Sequence, residues 1–239
     1  MVGLVASGPE VETFVLGKMA FDGPDMRRDT IFRVASMTKP VTATAVMMLV
    51  EDGKLRLDEP VDRLLPELAN RRVLRWIDAA LDDTVPARRP ITVEDLLTFR
   101  CGHGLILAPP GRYPIQKAIA DLGIFGPPDR ALPMEVDAWM KLSGLPLLAQ
   151  PGEDWLYGTG SNIQGVLVAR ASGQSLSRFC EERIFGPLGM KDTAYFVPPA
   201  KIERLAHAYR AAWGCRAPLH PADWIDTPTW DPRIPLRHS

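Results

Sequence analysis

The feature that most constrains how this chain folds is a nearly unbroken apolar run that follows a serine and a lysine. Residues 42–50 (TATAVMMLV) are almost wholly apolar, which predicts a helix from Ser36 to about Asp52 that is buried on most sides. Gly53 suits the left-handed position that ends a helix. Pro40 is tolerated in the first turn, where its missing N–H would have no intrahelical partner. The fold is therefore expected to be built around a helix that begins at Ser36.

The residues before this helix predict strands. Residues 2–6 and 11–19 are separated by the turn-forming pair Gly8-Pro9, which predicts a hairpin. Strands followed by a mainly helical region indicate an α+β (α/β-type) architecture in two parts. Residues 1–35 would begin the sheet, and residues 36–205 would form the helical part.

Three more helices are predicted in the helical part. One begins after Thr92, with Asp95 completing a capping box, and the others cover about residues 161–171 and 176–185. Residues 101–133 are rich in Gly and Pro and are predicted to be a long connection. A connection of that length is unusual in a compact domain unless it shapes a site.

Composition limits the possible functions of the chain. Its 239 residues are 46% hydrophobic and 24% charged, as expected of a globular protein with a substantial core. The formal net charge of -1 provides no basic field for nucleic acid or an anionic membrane. No run approaches the roughly 18 apolar residues of a membrane span. Three irregularly spaced cysteines and no visible signal peptide predict a cytoplasmic protein, unless a start site assigned too far downstream hides an export signal.

Ser36 and Lys39 are the strongest candidates for chemistry. A serine hydroxyl is a poor nucleophile at neutral pH and needs a base within hydrogen-bond reach. Residues three apart share a face of a helix, so Lys39 is expected beside Ser36. The positive end of the helix would also stabilise an oxyanion formed there. On this local pattern alone, an N-capping serine with a solvated lysine is an equally good interpretation.

Four elements in order resemble the class C β-lactamase-related family, which includes related esterases and D-amino-acid-specific peptidases. They are 32–40 (FRVASMTKP) with 51–61 (EDGKLRLDEPV), 90–98 (PITVEDLLT, against ITVRDLLTH), 151–157 (PGEDWLY) and 184–193 (IFGPLGMKDT, against PLGMxDT). The resemblance covers about residues 1–210. It implies the β-lactamase/DD-peptidase-like fold, an antiparallel sheet flanked by helices with a helical subdomain, and a Ser-x-x-Lys nucleophile at Ser36.

The resemblance also implies roles for residues outside this helix. Tyr157 would be the second catalytic side chain, sharing a proton network with Ser36 and Lys39, and a nearby ammonium would lower the pKa of its phenol. The alternative is a core tyrosine whose hydroxyl finds a partner. The family often has Tyr-x-Asn, but here Thr159 stands two residues beyond Tyr157 and the nearest Asn is Asn162. These two are the candidate substrate-binding residues, and the departure favours simple esters or amides over β-lactams.

The C-terminal part departs from the family more strongly. It has no counterpart of the third motif, a Lys- or His-containing turn with Gly, and the last strands of the sheet are predicted to be missing. In the family, the late strand that carries the third motif supplies the second N–H of the oxyanion hole. Loss of one such donor lowers turnover by roughly 10²–10³-fold. The Trp- and Pro-rich residues 213–239 are predicted to be an irregular tail after a domain at 1–212, and they fit a truncated, frameshifted or divergent end equally well.

The sequence thus predicts a serine acyl hydrolase that forms an acyl-enzyme on Ser36 from an ester, amide or β-lactam substrate. No metal, organic cofactor or nucleic-acid partner is expected, and an exposed sheet edge would leave the chain prone to self-association. Cys101 and His103 are interpreted as a buried cysteine and a loop histidine, because no second ligand pair has suitable spacing. Two rivals remain: a catalytically impaired or truncated relative of the same fold, and an interaction module that uses the tail.

Overall fold

The computed structural model describes residues 1–124, 136–207, 209–211 and 224–226. These residues fall into two compact units, one with 1–35, 195–207, 209–211 and 224–226, the other with 36–124 and 136–194. The elements in chain order are β1 (Val2–Ser7), β2 (Glu10–Val15), α1 (Thr38–Glu51), β3 (Arg72–Leu74), β4 (Thr84–Pro86), α2 (Val93–Leu97), α3 (Pro114–Asp121), α4 (Thr159–Ser172), α5 (Leu176–Cys180), β5 (Tyr209–Ala211) and β6 (Trp224–Asp226). No helix in these ranges is long and apolar enough to cross a membrane.

The first unit contains the predicted hairpin. Strands β1 and β2 pair antiparallel from Val2 opposite Val15 to Ser7 opposite Glu10. The second strand ends four residues earlier than predicted, because Gly17 adopts a φ of +78° and turns the chain. Strands β5 and β6 form a second antiparallel pair in this unit.

The second unit is mainly helical, and its central feature is the packing of α1 against α4 and α5. A short 3₁₀ turn at Ala35–Met37 precedes α1, and Gly53 follows it with a φ of +69°. The buried residues of α1 lie along one stripe: Thr42, Ala45, Val46 and Leu49. The expectation of a helix buried on most sides is therefore wrong, since Met47 in the middle of the apolar run is 40% exposed.

Helix α2 begins as its sequence predicts. The Oγ1 of Thr92 accepts a hydrogen bond from the N–H of Asp95 at 3.2 Å, and Asp95 Oδ2 accepts one from the N–H of Thr92 at 2.8 Å. Asp95 also pairs with Arg89 at 2.6 and 2.8 Å. This capping box fixes the start of α2, which packs on α4.

The remaining helices follow the prediction with shifted bounds. Helix α4 starts two residues earlier than expected and ends at Gly173, which has a φ of +71°. The segment predicted at 176–185 begins as α5 and continues as a π-helical turn at Glu181–Phe185.

The segment predicted as a long connection at 101–133 contains helix α3. Pro114 occupies its first turn, and the side chain of Gln116 accepts a hydrogen bond from the N–H of Tyr113 at 3.0 Å. Pro114 begins a helix, where its missing N–H has no intrahelical partner to lose, so the prediction of a continuous loop is wrong. Residues 125–135 lie outside the described part.

The α+β fold class is confirmed by these helices together with short antiparallel sheets. The described strands form three two-stranded sheets, β1-β2, β3-β4 and β5-β6. The predicted domain at 1–212 and tail at 213–239 stay predictions, since most of that tail lies outside the described residues.

Candidate active site

The start of α1 brings Ser36 and Lys39 together as their spacing predicts. Lys39 Nζ donates a hydrogen bond of 2.8 Å to Ser36 Oγ. Ser36 is exposed in the 3₁₀ turn before the helix, and Lys39 is half-buried in its first turn. The first turn of a helix also carries backbone N–H groups without intrahelical acceptors, which can stabilise a negatively charged oxygen.

Tyr157 reaches the same place from the segment before α4. Hydrogen bonds with Ser36 and with Lys39 lower the pKa of its phenol below the ordinary value, and the charge of Lys39 adds to them against an opposing effect of desolvation. The Lys39 Nζ lies 4.8 Å from the centre of the tyrosine ring. The three side chains therefore share one hydrogen-bonding network, in which the phenol loses its proton more readily than usual.

The backbone around Tyr157 is held on both sides by the segment that follows α2. The N–H of Leu156 donates to the C=O of Phe99 at 2.8 Å, and the C=O of Tyr157 accepts from the N–H of Leu105 at 2.9 Å. Gly104 permits this approach, because a Cβ there would lie 2.5 Å from the Cβ of Leu156. Two backbone hydrogen bonds from this one segment, at Phe99 and at Leu105, thus fix the position of Tyr157.

Two aromatic residues that the sequence analysis missed complete the surroundings of Tyr157. The ring of Phe99 lies 5.6 Å from that of Tyr157 and 6.0 Å from that of Trp155. Trp155 and Tyr157 have their ring centres 5.7 Å apart. Trp155 belongs to the 151–157 element, and Phe99 stands where the family motif ITVRDLLTH ends in His, so both residues were within reach of a sequence argument.

The two candidate substrate-binding residues lie in the first turn of α4. Thr159 is its first residue and is only 2% exposed, so its side chain offers little surface to a substrate. Asn162, three residues further along, is half-buried. Their roles in binding stay predictions, and Asn162 is the more accessible of the two.

Cys101 and His103 are both buried, at 0% and 2% exposure. Burial raises the pKa of the Cys101 thiol to about 11. Burial, with the charge of Arg71, lowers the pKa of His103 to about 3. The thiol is thus protonated and the imidazole neutral at pH 7, and neither is part of the Ser36 network. Within the described ranges, no group of three or more His, Cys, Asp or Glu side chains could hold a metal ion.

This chain is similar to known proteins of one family. The sequence model of the beta-lactamase family matches residues 5–228. Protein Rv1367c of Mycobacterium tuberculosis is 41% identical over 189 residues, which cover 79% of this chain and 45% of that protein. Esterase EstB of Burkholderia gladioli is 34% identical over 207 residues, covering 86% of this chain and 48% of the esterase.

Solved structures show the same fold. EstCE1, described as a hydrolase with promiscuous acyltransferase activity, aligns with a TM-score of 0.71 and 27% identity, covering 92% of this chain and 54% of that one. The chain spans about half the length of the curated relatives it matches. On the family match, the identities and the shared fold, this chain belongs to the beta-lactamase family.

Proposed function

We propose that this chain is a serine acyl hydrolase that forms an acyl-enzyme on Ser36. The observation that carries the proposal is the 2.8 Å hydrogen bond between Lys39 Nζ and Ser36 Oγ, with Tyr157 in the same network. A serine nucleophile needs a base within this reach, and a tyrosine with a lowered pKa beside an ammonium can serve as that base. The esterase among the curated relatives supports the same class of reaction.

In the proposed first step, Ser36 Oγ attacks the substrate carbonyl carbon while its proton passes to the Tyr157 phenolate. The carbonyl electrons move onto oxygen, and the N–H groups at the start of α1 stabilise that oxyanion. When the tetrahedral intermediate collapses, the bond to the leaving group breaks and the leaving group takes the proton from Tyr157. The acyl group remains on Ser36 Oγ.

Hydrolysis of the acyl-enzyme runs through the same groups. A water gives its proton to the Tyr157 phenolate and attacks the acyl carbon, and Ser36 recovers the proton as the carboxylic acid leaves. Lys39 keeps its place beside both oxygens and favours the phenolate through its charge. The step uses only Ser36, Lys39, Tyr157 and backbone donors.

Esters are the first substrates to test. Relatives are described as an esterase and as a hydrolase with acyltransferase activity. The buried Thr159 at the position where the family often has Asn argues against a strong contact to a substrate amide. Small-molecule amides and β-lactams belong to the same proposal as secondary substrates.

The test is the intact mass of the protein after incubation with a fluorophosphonate, which phosphonylates activated serines with loss of fluoride. We expect one adduct, absent in Ser36→Ala and retained in Ser177→Ala, a matched control on α5. Circular dichroism establishes that each sample is folded. A folded wild-type protein that forms no adduct would reject the hydrolase and leave a non-catalytic relative of the fold.

A further inference from the structure

Phe99 has a backbone conformation that a bulky residue rarely adopts. Its φ is +59°, in the left-handed region that favours glycine. The turn that holds it includes a hydrogen bond of 2.7 Å from the N–H of Arg100 to the C=O of Asp95, directly after α2. Strained conformations of this kind persist where the surroundings over-determine them, and they cluster at functional sites.

The strained backbone of Phe99 directs its C=O towards the segment that carries Tyr157. That oxygen accepts the 2.8 Å hydrogen bond from the N–H of Leu156, the residue before the tyrosine. The conformation of Phe99 therefore bears directly on the position of Tyr157. A change in this turn would move the tyrosine backbone.

Besides the hydrogen bond of its C=O, Phe99 also packs its ring beside the ring of Tyr157. Phe99 is half-buried, whereas Trp155 is 60% and Tyr157 38% exposed, so Phe99 is the inner member of the aromatic cluster. Gly160 leaves room for its ring, because a Cβ at Gly160 would lie 3.2 Å from Phe99 Cδ1. The centre of the Tyr157 ring thus lies 5.6 Å from the centre of the Phe99 ring and 4.8 Å from Lys39 Nζ.

We propose that Phe99 is a positioning residue that holds the ring of Tyr157 in hydrogen-bonding reach of Ser36 and Lys39. It acts through its C=O on Leu156 and through its ring on Tyr157. The inference rests on the proposed function, since it assigns a support to a side chain of that site.

Phe99→Leu tests the role of the ring. Leucine keeps a branched side chain at the same strained φ, so the variant chiefly removes the aromatic contact. Phe179→Leu is the matched control, because Phe179 is 2% exposed and lies in the core on α5. Two quantities are measured as a function of pH. The first is the ionisation of Tyr157, obtained as the difference in phenolate absorbance between a protein with Tyr157 and the same protein carrying Tyr157→Phe. The second is the rate of Ser36 phosphonylation.

We expect Phe99→Leu to move the Tyr157 titration to higher pH and to shift the rising limb of the labelling rate with it. The rate at neutral pH should fall about tenfold or more, since small displacements of catalytic groups have effects of that order. Phe179→Leu should lower the melting temperature and leave both pH profiles in place. If Phe99→Leu likewise lowers the melting temperature and leaves both pH profiles in place, the role of Phe99 is purely structural and the inference is overturned.

The two proposals fail in different ways. If Ser36 is never labelled, the proposed function fails, but the Tyr157 titration still tests Phe99. If Ser36 is labelled and Phe99→Leu leaves both profiles unchanged, the inference about Phe99 alone is rejected. If Phe99→Leu does not fold, Phe99→Met takes its place, because the flexible methionine side chain fits irregular space.

Discussion

The C=O of Tyr157 accepts a hydrogen bond of 2.9 Å from the N–H of Leu105, and this contact ties the proposed base to the segment after α2. Gly104 stands next to that bond, where a Cβ would lie 2.5 Å from the Cβ of Leu156 and 2.6 Å from its carbonyl oxygen. The position of Tyr157 therefore depends on a residue without a side chain.

Gly104→Ala should push the segment after α2 away from the segment that carries Leu156 and Tyr157. The new Cβ meets backbone atoms that cannot turn aside, so we expect about 1–3 kcal/mol of lost stability and slower phosphonylation of Ser36. Unfolding in urea and the labelling rate measure the two effects. Gly144→Ala is the control, because a Cβ there meets nothing within 4 Å. Equal unfolding midpoints and equal labelling rates in the two variants would contradict a role for the close approach at Gly104.

Lys39→Met should remove both the hydrogen bond to Ser36 and the charge that favours the Tyr157 phenolate. The pKa of Tyr157 is lowered in the folded protein, so the active phenolate forms at lower pH than an ordinary tyrosine would allow. Without Lys39, the rising limb of the labelling rate should move to higher pH, and the rate at neutral pH should fall by about 10²–10⁴.

The control for this variant is Lys54→Met, which removes an exposed lysine just after the end of the same helix. Its labelling rate and pH profile should match those of the unmodified protein. A Lys39→Met protein that is labelled at the normal rate would remove lysine from the mechanism.

Local rules predicted part of this site and tertiary contacts supplied the rest. The three-residue spacing on a helix predicts that Lys39 lies beside Ser36, and the pattern at Thr92 and Asp95 predicts a capping box, because both interactions form within one turn. The place of Tyr157 came only from family resemblance, since more than 100 residues separate it from Lys39. No local rule places Phe99 at a positive φ, because its surroundings, not its own preference, select that conformation.

Asp95→Asn should destabilise the second unit. Burial alone would raise the pKa of Asp95, but hydrogen bonds from Arg89 and Thr92 lower it below the ordinary value. The folded protein therefore contains Asp95 as a charged carboxylate. Loss of that charge at the capping box should lower the free energy of unfolding by about 1–3 kcal/mol. Asp58→Asn is the control, since the Asp58–Arg56 pair is exposed and should matter little. Equal unfolding midpoints in urea would contradict the prediction.

His103 should make stability fall in mild acid. Its pKa is about 3 in the folded protein against an ordinary value of 6.5, so below pH 6.5 the unfolded chain binds a proton that the folded chain does not. The free energy of unfolding should then decrease with falling pH, with a limiting slope of about 1.4 kcal/mol per pH unit. His103→Gln should flatten this dependence between pH 7 and pH 5, above the range where carboxylates titrate.

Unfolding in urea at several pH values between 5 and 7 measures this dependence for the unmodified protein and for His103→Gln. A steep dependence that survives in His103→Gln would assign the effect to another group.

The hairpin β1-β2 should mediate self-association. Its strands pair only with each other among the described residues, so their outer edges are open. One face of the ribbon carries Leu4, Val11 and Val15, which are 62%, 50% and 37% exposed. Exposed strand edges beside an apolar face favour pairing between chains.

Leu4→Lys should therefore weaken association by placing a charge on this face. The opposite face exposes Val5 and Phe14 at 59% and 50% but also carries Glu10 and Glu12, so Val5→Lys should weaken association less. Sedimentation equilibrium over a range of protein concentrations measures the effect. Because both variants add one positive charge to adjacent residues, a general effect of net charge would change them alike. A monomer at every concentration, or an equal response of the two variants, would contradict the assignment of association to this face.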